Sequence, residues 1–298
     1  MKSIKVTCQS EFLKLKTVFI KNVDNAFVSD ALVDKEWKPL NFLSKPNLHK
    51  AKTEYEIFEM LLKREGITIQ YFPKDDSVSI DSIYCRDAAI ATDEGMIICC
   101  MGKPTRANEP AAEQLAFEKN NIKILGRIQA PGTIEGGDVA WLDEKTLAVG
   151  HTYRTNESGI EQLKKLLHPT GVTVITVSLP HYKGPSDVFH LMSILSPVDI
   201  DLAVVYSPLM PIAFRNYLLE HGCQLVEVPD EEFESMGCNV LAIAPRKCIM
   251  VGGNPKTKLA LEKAGCTVFE YEGAEISVKG GGGPTCLTRP MLREGGKS

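Results

Sequence analysis

Residues 238–272 read CNVLAIAPRKCIMVGGNPKTKLALEKAGCTVFEYE and contain one complete copy of the unit that organises this chain. The two apolar runs within 238–252 predict a β-hairpin. Residues 254–265 predict a helix, since Asn precedes it, Pro stands at its first position and Gly follows it. The apolar run at 266–272 predicts a closing strand. The unit is therefore strand, strand, helix, strand.

The same unit occurs three more times before residue 238, at intervals of about 50 residues, which is typical of repeat architectures. Hairpins are predicted at 83–100, 138–150 and 188–206. Each is followed by an amphipathic helix and then by an apolar strand. The predicted helices are 111–121 with the N-cap residue Asn108, 155–168 and 211–222, and the predicted strands are 123–128, 171–179 and 223–228.

A fifth unit is split between the two ends of the chain. Cys286 begins one more strand, and the rest can only come from the N-terminal side: a strand at 16–21, a helix at 51–66 and a strand at 68–72. Closure into a ring removes exposed strand edges. We therefore predict an α/β propeller, with five ββαβ units around a pseudo-fivefold axis, closed by the two termini within a single domain, 1–298. A generic α/β fold with coincidental spacing is the alternative.

Composition and charge exclude several classes of protein. The 298 residues are 44% hydrophobic, and the net charge is −4 with basic and acidic residues interspersed. No basic stripe or polybasic segment indicates a nucleic-acid or membrane-surface partner. No apolar run approaches the roughly 20 residues of a membrane span, and the N-terminus lacks the apolar stretch of a signal peptide. The nine cysteines include no C-x-x-C pair, which is typical of reduced thiols in a cytoplasmic protein.

Polar residues that can carry out chemistry stand where the hairpins open. In a ring these positions converge on the axis, so residues far apart in sequence are expected to meet there. They are Asp81, Asp87, Glu135, Asp138, His190 and Cys286, with Asn239 and Arg154 at comparable places. A thiol, an imidazole and several carboxylates together make a candidate catalytic site.

Each of these residues also has an ordinary structural explanation. A cysteine is usually core filler, and a lone histidine in an apolar strand such as FHLMSIL is commonly a satisfied core residue. Glu135 and Asp138 could be turn residues, and Asp87 could pair with the arginine before it. The repeat favours the functional interpretation of Cys286 and His190. One cysteine and one histidine fall short of a zinc site, so no metal or cofactor is expected.

The run GGGGPTCLT, residues 280–288, contains Cys286. Glycine-rich backbone costs conformational entropy, so four glycines in a row require a reason. A phosphate loop is excluded because no G-K-[ST] follows and Pro284 removes an N–H donor. We expect the glycines to let a ligand approach the backbone closely while the thiol points into a pocket.

Five short segments stand in an order that resembles the guanidine-modifying enzymes of the pentein fold. They are DSIYCRD (81–87), IEGGDV (134–139), YRTN (153–156), FHLMS (189–193) and GPTCLT (283–288). That superfamily includes dimethylarginine dimethylaminohydrolases, arginine and agmatine deiminases, and amidinotransferases. The resemblance runs from about residue 16 to the end of the chain. It implies the pentein α/β propeller and a small cationic guanidino substrate.

The resemblance also implies a role for each site residue. Cys286 would be the nucleophile, His190 the general acid and base, and Glu135 the carboxylate that orients the histidine and the guanidine. Asp87, helped by Asp81, would hold the guanidinium. The implied contacts to the amino-acid end of the substrate are Arg106, in KPTRANE, and Arg154, and Asp138 is grouped with them as an acidic residue that the family keeps.

The implied activity is that of a cysteine-dependent hydrolase acting on the guanidine carbon of arginine or an N-methylated arginine through a covalent thiouronium. Thr285 before the nucleophile is similar to the dimethylaminohydrolases, whereas many deiminases and transferases have His there. The GGGG run is more similar to deiminases and transferases, so the substrate stays open. An amidinotransferase and a non-catalytic binding protein of the same fold are the alternatives. Self-association into a homo-oligomer is also left open.

Residues 23–50 are predicted to form a long loop before the first helix. Functional loops of that length are often lids. We expect this segment to cover the site.

Overall fold

The computed structural model describes residues 6–295, so the ends of the predicted domain, 1–5 and 296–298, lie outside the described residues. The α-helices are α1 (Val23–Ala26), α2 (Asp30–Glu36), α3 (Leu48–Arg64), α4 (Glu109–Lys119), α5 (Glu157–Leu167), α6 (Ile212–Glu220), α7 (Asp230–Phe233) and α8 (Pro255–Lys263). The strands are β1 (Val6–Thr7), β2 (Lys14–Ile20), β3 (Thr68–Tyr71), β4 (Ala89–Thr92), β5 (Gly95–Ile98), β6 (Ile124–Arg127), β7 (Val139–Asp143), β8 (Thr146–His151), β9 (Thr173–Ser178), β10 (Leu195–Asp199), β11 (Leu202–Val205), β12 (Gln224–Glu227), β13 (Leu241–Ala244), β14 (Lys247–Val251), β15 (Thr267–Tyr271) and β16 (Arg289–Glu294). No helix within residues 6–295 combines the length and the apolar character needed to cross a membrane.

The strands form five small sheets, one for each predicted unit. Four have the orders β4-β5-β6, β7-β8-β9, β10-β11-β12 and β13-β14-β15. In each, the middle strand pairs antiparallel with the first and parallel with the third. A parallel pair needs a crossover connection, which α4, α5, α6 and α8 supply. These sheets confirm the predicted order of strand, strand, helix, strand.

The fifth sheet joins the two ends of the described chain, as predicted. β16 pairs antiparallel with β2, β2 pairs parallel with β3 through the crossover helix α3, and β1 adds a further strand beside β16. Neighbouring sheets contact one another through β16 and β4, β7 and β10, β10 and β13, and β13 and β2. A bridge between Cys100 and Ile134 connects the two remaining neighbours. The sheets therefore form the closed α/β propeller.

Helix α5 illustrates how the helices are held. It buries Ile160, Leu163 and Leu167, which recur at helical spacing, in a cluster of apolar side chains from its own unit and the preceding one. The side chain of Asn156 caps its N-terminus by accepting from the backbone N–H of Gly159. The sequence pattern that predicted the helix is thus also the pattern that packs it.

The hairpins begin later than the sequence analysis predicted. β10 begins at Leu195 rather than at 188, and β16 begins only after Cys286. Single 3₁₀ turns stand before three of the hairpins, at Ile80–Ile83, Gly136–Asp138 and Leu191–Ser193. A strand would direct successive side chains to opposite faces, whereas a turn releases the backbone from the ladder. The candidate site residues therefore stand in or beside turns rather than in strands.

The prediction of a long loop at 23–50 was wrong in its secondary structure. Two short helices, α1 and α2, lie in this segment, and α3 begins at Leu48. The three helices are capped by Asn22, Ser29 and Asn47, whose side chains accept backbone N–H groups. These caps satisfy donors that would otherwise be unpaired at each helix start, which makes even four-residue helices possible.

Candidate active site

A cavity of about 190 Å³ opens at the axis of the ring. Each of the five units contributes to its lining, through Asp87, Gly137, His190, Asn239 and Cys286. All five residues precede the first strand of their unit. Segments that are distant in sequence therefore meet around one cavity.

His190 and Glu135 form a buried pair, with His190 Nε2 lying 2.8 Å from Glu135 Oε2. The backbone N–H of His190 donates to the hydroxyl of Ser193 at the start of its 3₁₀ turn. Glu135 is fully buried, and its Oε1 accepts from the backbone N–H of Lys103 at 2.9 Å. Both side chains are thus held in a defined orientation.

The pair is ionised at neutral pH. Burial alone would lower the pKa of His190, but three carboxylates outweigh it and raise the pKa to about 9. They are Asp138, Asp87 and Glu135. Burial alone would raise the pKa of Glu135, but the hydrogen bond and charge of His190, followed by the charge of Arg154, lower it to about 2. The histidine is therefore an imidazolium that can donate a proton.

Asp87 has one oxygen engaged and one free. Its Oδ2 accepts from Nη1 of Arg106 at 2.5 Å. Its buried Oδ1 has no hydrogen-bond partner among residues 6–295 and lies 4.0 Å from Nδ1 of His190. A buried carboxylate oxygen without a partner is costly, so this oxygen is suited to accept an N–H group from a ligand.

Arg106 does not offer a free cation to the cavity. Its Nε and Nη2 donate to Glu109, Nη2 also donates to the carbonyl oxygen of Tyr84, and Nη1 donates to Asp87. Every guanidinium nitrogen is thus bonded within the protein. These bonds fix the position of Asp87, and Arg106 itself lines the cavity. Its contact with the amino-acid end of a substrate stays a prediction.

Lys103 is a site residue that the sequence analysis missed. Its Nζ lies 2.5 Å from Oδ2 of Asp81 and donates to the carbonyl oxygen of Leu40 at 3.0 Å. Asp81, which was predicted to help hold a guanidinium, therefore already has an ammonium partner in the cavity wall. The available signal was the closeness of Lys103 to Arg106 in KPTR, but a loop lysine ordinarily indicates an exposed side chain.

Asp138 is not among the residues that line the cavity. Its oxygens accept from the backbone N–H of Leu191 at 3.0 Å and from the hydroxyl of Thr152 at 2.7 Å. Burial raises its pKa to about 6, against the opposing charge of His190 and these hydrogen bonds. Asp138 therefore lies behind His190, bonded to the backbone of the next residue, and its contact with a substrate stays a prediction.

Arg154 keeps a place in the cavity wall. Its Nη1 lies 3.4 Å from both carboxylate oxygens of Glu135, and its side chain is almost fully buried. It therefore adds positive charge beside Glu135. Its contact with the amino-acid end of a substrate stays a prediction.

Cys286 is partly exposed at the cavity. Its Sγ accepts from Nδ2 of Asn239 at 3.4 Å and lies 3.8 Å from the hydroxyl of Thr285. Burial, and then the charge of Asp87, raises the pKa of the thiol. The sulfur is therefore a thiol at rest, and its ionisation requires additional positive charge nearby.

The glycine run is explained by protein packing. A Cβ on either Gly280 or Gly282 would overlap the ring of Tyr84, and a Cβ on Gly283 would overlap Asn239. The run thus lets the backbone lie directly against these two side chains. The sequence analysis expected a ligand to use that space, although Gly280 and Gly282 do line the cavity as well.

The 23–50 segment lies at the cavity wall, where Asn41 and Leu43 contribute to the lining. The backbone N–H of Leu43 donates to the carbonyl oxygen of Lys279 at 2.7 Å, and Leu40 accepts from Lys103. The segment therefore contacts both sides of the candidate site. That it opens and closes as a lid stays a prediction.

Asp87, Glu135 and His190 also have the composition of a metal site, since one potential ligand atom from each lies within 4.8 Å of the others. Zinc was excluded above on the cysteine and the histidine alone, without these carboxylates. The same carboxylates suit a guanidinium, which is a planar cation with N–H donors along its edges.

Sequence comparisons place this chain among known proteins. The profile described as "N,N dimethylarginine dimethylhydrolase, eukaryotic" matches residues 27–293. The uncharacterized protein YkgA of Bacillus subtilis is 26% identical, over 97% of this chain and 96% of its own length. The dimethylarginine dimethylaminohydrolase of Pseudomonas aeruginosa is 26% identical, over 83% of this chain and 90% of its own length. The arginine deiminase of Listeria welshimeri is 28% identical over 71% of this chain, which spans 61% of the deiminase.

Solved structures share the fold. A variant of the Pseudomonas aeruginosa enzyme in complex with citrulline superposes with a TM-score of 0.77 at 22% identity, covering 93% of this chain and 100% of that chain. SxtG, an amidinotransferase from Microseira wollei, superposes with a TM-score of 0.79 at 16% identity, covering 98% of both chains. Since the family profile matches most of the chain and the sheets form the same propeller, this protein belongs to the N,N dimethylarginine dimethylhydrolase family of the pentein superfamily.

Proposed function

We propose that this protein is a cysteine-dependent hydrolase that acts on the guanidine carbon of arginine or an N-methylated arginine and releases citrulline with ammonia or an alkylamine. The observation that carries the proposal is the unpartnered Oδ1 of Asp87, which lies beside the His190–Glu135 pair in the cavity that Cys286 lines. An acceptor for a cation, a proton donor and a nucleophile thus meet at one place.

Charge balance in the cavity explains how the thiol is activated. The carboxylates near it already have cationic partners: Asp81 with Lys103, Asp87 with Arg106, and Glu135 with His190. A bound guanidinium is therefore surplus positive charge, and it lowers the pKa of the neighbouring Cys286 thiol. The thiolate forms when the substrate binds, and the thiol proton leaves to solvent.

The first half of the reaction transfers the amidino carbon to the enzyme. The thiolate of Cys286 attacks the guanidine carbon and forms a C–S bond, which gives a tetrahedral adduct. The His190 imidazolium donates its proton to the departing nitrogen, the C–N bond breaks, and ammonia or an alkylamine leaves. Cys286 then carries a thiouronium. Glu135 holds the imidazole in orientation throughout.

The second half releases the product. Neutral His190 takes a proton from water, and the resulting hydroxide adds to the thiouronium carbon. The adduct loses its hydroxyl proton, the C–S bond breaks, and Cys286 leaves as the thiolate with citrulline as the product. Attack by an amine instead of water would make the protein an amidinotransferase. The fold shared with SxtG supports that alternative.

The test is mass spectrometry of the products. The purified protein is incubated with arginine, monomethylarginine, dimethylarginine, agmatine and citrulline, each with and without glycine as acceptor amine. We expect citrulline from arginine or a methylated arginine without acceptor, and a loss of about 10⁴-fold or more in Cys286→Ser. Cys238→Ser is the matched control, because Cys238 lines the same cavity but its Sγ donates to the carbonyl oxygen of Val204.

Each outcome decides between the candidates. An acid-quenched sample of the wild type should carry the thiouronium mass, and Cys286→Ser should not. Product that needs the acceptor amine would establish a transferase. Turnover that stops with a chelator and returns with a divalent cation would replace the proposed mechanism by a metal-dependent one at the Asp87, Glu135 and His190 cluster. Absence of turnover with every guanidine would favour a binding protein.

A further inference from the structure

A second group of buried charges lies at the ring axis, away from the cavity. We name Arg86, Arg289, Arg293 and Glu11 the axial arginine cluster. Their exposed fractions are 0%, 4%, 1% and 5%, and none of them lines the cavity. The three arginines contact the first strands of the neighbouring units, because their guanidinium groups donate to the carbonyl oxygens of Ala89, Val139 and Ala242.

Most of the donors in this cluster remain unused. Nη2 of Arg86 donates to Glu11 at 2.6 Å and to the carbonyl oxygen of Val139 at 3.5 Å. Nη1 of Arg289 and Nη1 of Arg293 donate to backbone carbonyl oxygens. Five buried nitrogens have no partner among residues 6–295: Nε and Nη1 of Arg86, Nε of Arg289, and Nε and Nη2 of Arg293. Buried donors without partners are rare in folded proteins and indicate a missing acceptor.

The cluster also lacks negative charge. Among residues 6–295, Glu11 is the carboxylate that bonds to these guanidinium groups, and its pKa is lowered because the arginines outweigh the effect of burial. The charge of Glu113 also reaches Arg289, but burial raises the pKa of Glu113 well above its ordinary value. Burial lowers the pKa of Arg289 and of Arg293 to about 10, and repulsion from Arg86 adds to it in both cases. Arg289 and Arg293 therefore stay charged at neutral pH. A buried charge is stable only when it is paired, so two positive charges are left to be compensated.

We propose that the axial arginine cluster binds a small inorganic anion, such as chloride, as an integral part of the fold. One anion can accept from several guanidinium groups at once and supplies the missing negative charge. Water satisfies N–H donors but brings no charge, and one water molecule accepts only from about two of them. The near-complete burial of the four side chains limits the ligand to a small ion.

This site is structural and separate from the proposed chemistry. The backbone N–H of Arg86 donates to the carbonyl oxygen of Cys286 at 3.2 Å, and Asp87 is the next residue after Arg86. An anion that holds Arg86 would therefore stabilise the backbone next to both Asp87 and Cys286. The inference rests on unpartnered donors and charge, and it stands whether or not the protein hydrolyses guanidines.

The experiment is a refolding and melting series in sodium chloride, sodium bromide and sodium gluconate at equal ionic strength, with the full chain. Gluconate is too large for a site this closed. We expect the melting temperature to rise with the logarithm of chloride or bromide concentration and to change little with gluconate, since a ligand that binds the folded state stabilises it by mass action. Crystals grown in bromide should give an anomalous peak between Arg86, Arg289 and Arg293.

Variants make the test specific. Arg293→Met should remove most of the halide dependence, whereas Arg215→Met, at an exposed arginine that pairs with Glu227, should retain it. If Arg293→Met does not fold, Glu11→Gln gives the second test, because removal of the resident carboxylate should make stability depend more steeply on halide. Equal melting temperatures in chloride and gluconate, or a bromide structure with only water at the cluster, would overturn the proposal.

Discussion

The two ends of the ring axis handle buried charge in opposite ways. Asp87 and Arg86 are adjacent in sequence, but Asp87 lines the cavity and Arg86 joins the axial arginine cluster. At the cavity end, three carboxylates have a cationic partner: Asp81 pairs with Lys103, Asp87 with Arg106, which Glu109 shares, and Glu135 with His190. At the other end, three arginines share Glu11. The first end is balanced before a ligand arrives, and the second is not.

This difference separates an exchangeable ligand from a permanent one. A balanced site can release its product, because in the empty state Asp81, Asp87 and Glu135 keep their cationic partners, and only Oδ1 of Asp87 among the oxygens of these three described carboxylates is buried without a hydrogen bond. An unbalanced site holds its ligand, because the empty state would contain unpaired buried cations. The pentein ring supplies both ends, and the residues in the turns before the first strands decide which ligand each end takes.

Among the residues that position the reacting groups at the cavity end, the largest effect is expected from Glu135→Gln. The pKa of His190 should fall, since the variant loses one of the three carboxylates that raise it, and the imidazole also loses the charged partner that orients it. We expect kcat for the guanidine that turns over to decrease by about 10²–10⁴-fold. Steady-state kinetics and an NMR titration of His190 measure the two effects.

Glu234→Gln is the matched control for this variant. Glu234 also lines the cavity, but it pairs with Lys183 at an exposed position. The Glu234→Gln variant should retain kcat within a few fold of the wild type. If Glu135→Gln has a normal kcat and an unchanged His190 titration, the His190–Glu135 pair is structural. That result would contradict its proposed role in catalysis.

Much of the fold could be predicted from the sequence because its signals are local. Alternating apolar residues, caps and turns recur in every unit, and each signal depends on neighbours within a few residues. The repeat then brought Asp87, Glu135, His190 and Cys286 to one place, although each alone has an ordinary structural explanation. A repeated position supplied information that no single residue contains.

The contacts that could not be predicted are pairings between distant residues. Lys103 and Asp81 meet only because a loop folds back on the cavity, and nothing around a loop lysine distinguishes a buried partner from solvent. The same holds for Glu11 and Arg86, which pair across 75 positions. The 3₁₀ turns were also missed, because apolar residues such as those around His190 suit a buried turn as well as a strand.

A smaller effect should appear in the pH dependence of stability. The pKa of His190 is raised in the folded protein to about 9, from 6.5. Its contribution to the free energy of unfolding should be fully present below pH 6.5 and should be lost as the pH rises through 9. The pair should stabilise the fold by on the order of 1 to 3 kcal/mol. Urea denaturation of the wild type and of His190→Asn between pH 6 and 10 measures the difference.

His221→Asn provides the comparison for this titration. His221 is exposed at the end of α6 and has no carboxylate partner among the described residues. Its difference from the wild type over the same range gives the baseline against which the His190→Asn difference is judged. If the difference in free energy of unfolding between the wild type and His190→Asn is constant from pH 6 to 10, folding does not raise the pKa of His190.

Gly137→Ala tests how closely the cavity end is packed. A Cβ at Gly137 would lie 2.7 Å from Oδ1 of Asp87 and would overlap Nδ1 of His190. One of the two side chains must move, and misplacement of a catalytic group by about 1 Å can cost about 10²-fold in kcat/KM. Gly252→Ala is the control, because its Cβ would meet the nearest atom of Tyr271 at an ordinary 3.4 Å. Equal activity in the two variants would mean that the cavity end tolerates rearrangement.

Lys103→Met should have the smallest effect, a change in the relative KM values of two guanidine substrates. In the wild type the Lys103 ammonium occupies Asp81, so a substrate ammonium cannot pair with that carboxylate without competing. The variant leaves Asp81 free in the cavity wall. The ratio of KM for 5-guanidinopentanoate, which is arginine without its α-ammonium, to KM for arginine should therefore increase about tenfold, which corresponds to one added charged hydrogen bond to the α-ammonium.

Lys183→Met is the control for charge alone, since Lys183 lines the cavity but pairs with the exposed Glu234. It removes the same formal charge without freeing Asp81, so its KM ratio should stay that of the wild type. A change of equal size in both variants would assign the effect to net charge. An unchanged ratio in Lys103→Met would mean that Asp81 does not meet the distal end of the substrate. A change in the KM ratio confined to Lys103→Met would show that the substrate ammonium can replace Lys103 as the partner of Asp81. The charge balance at the cavity end could then be changed by substituting one internal cation.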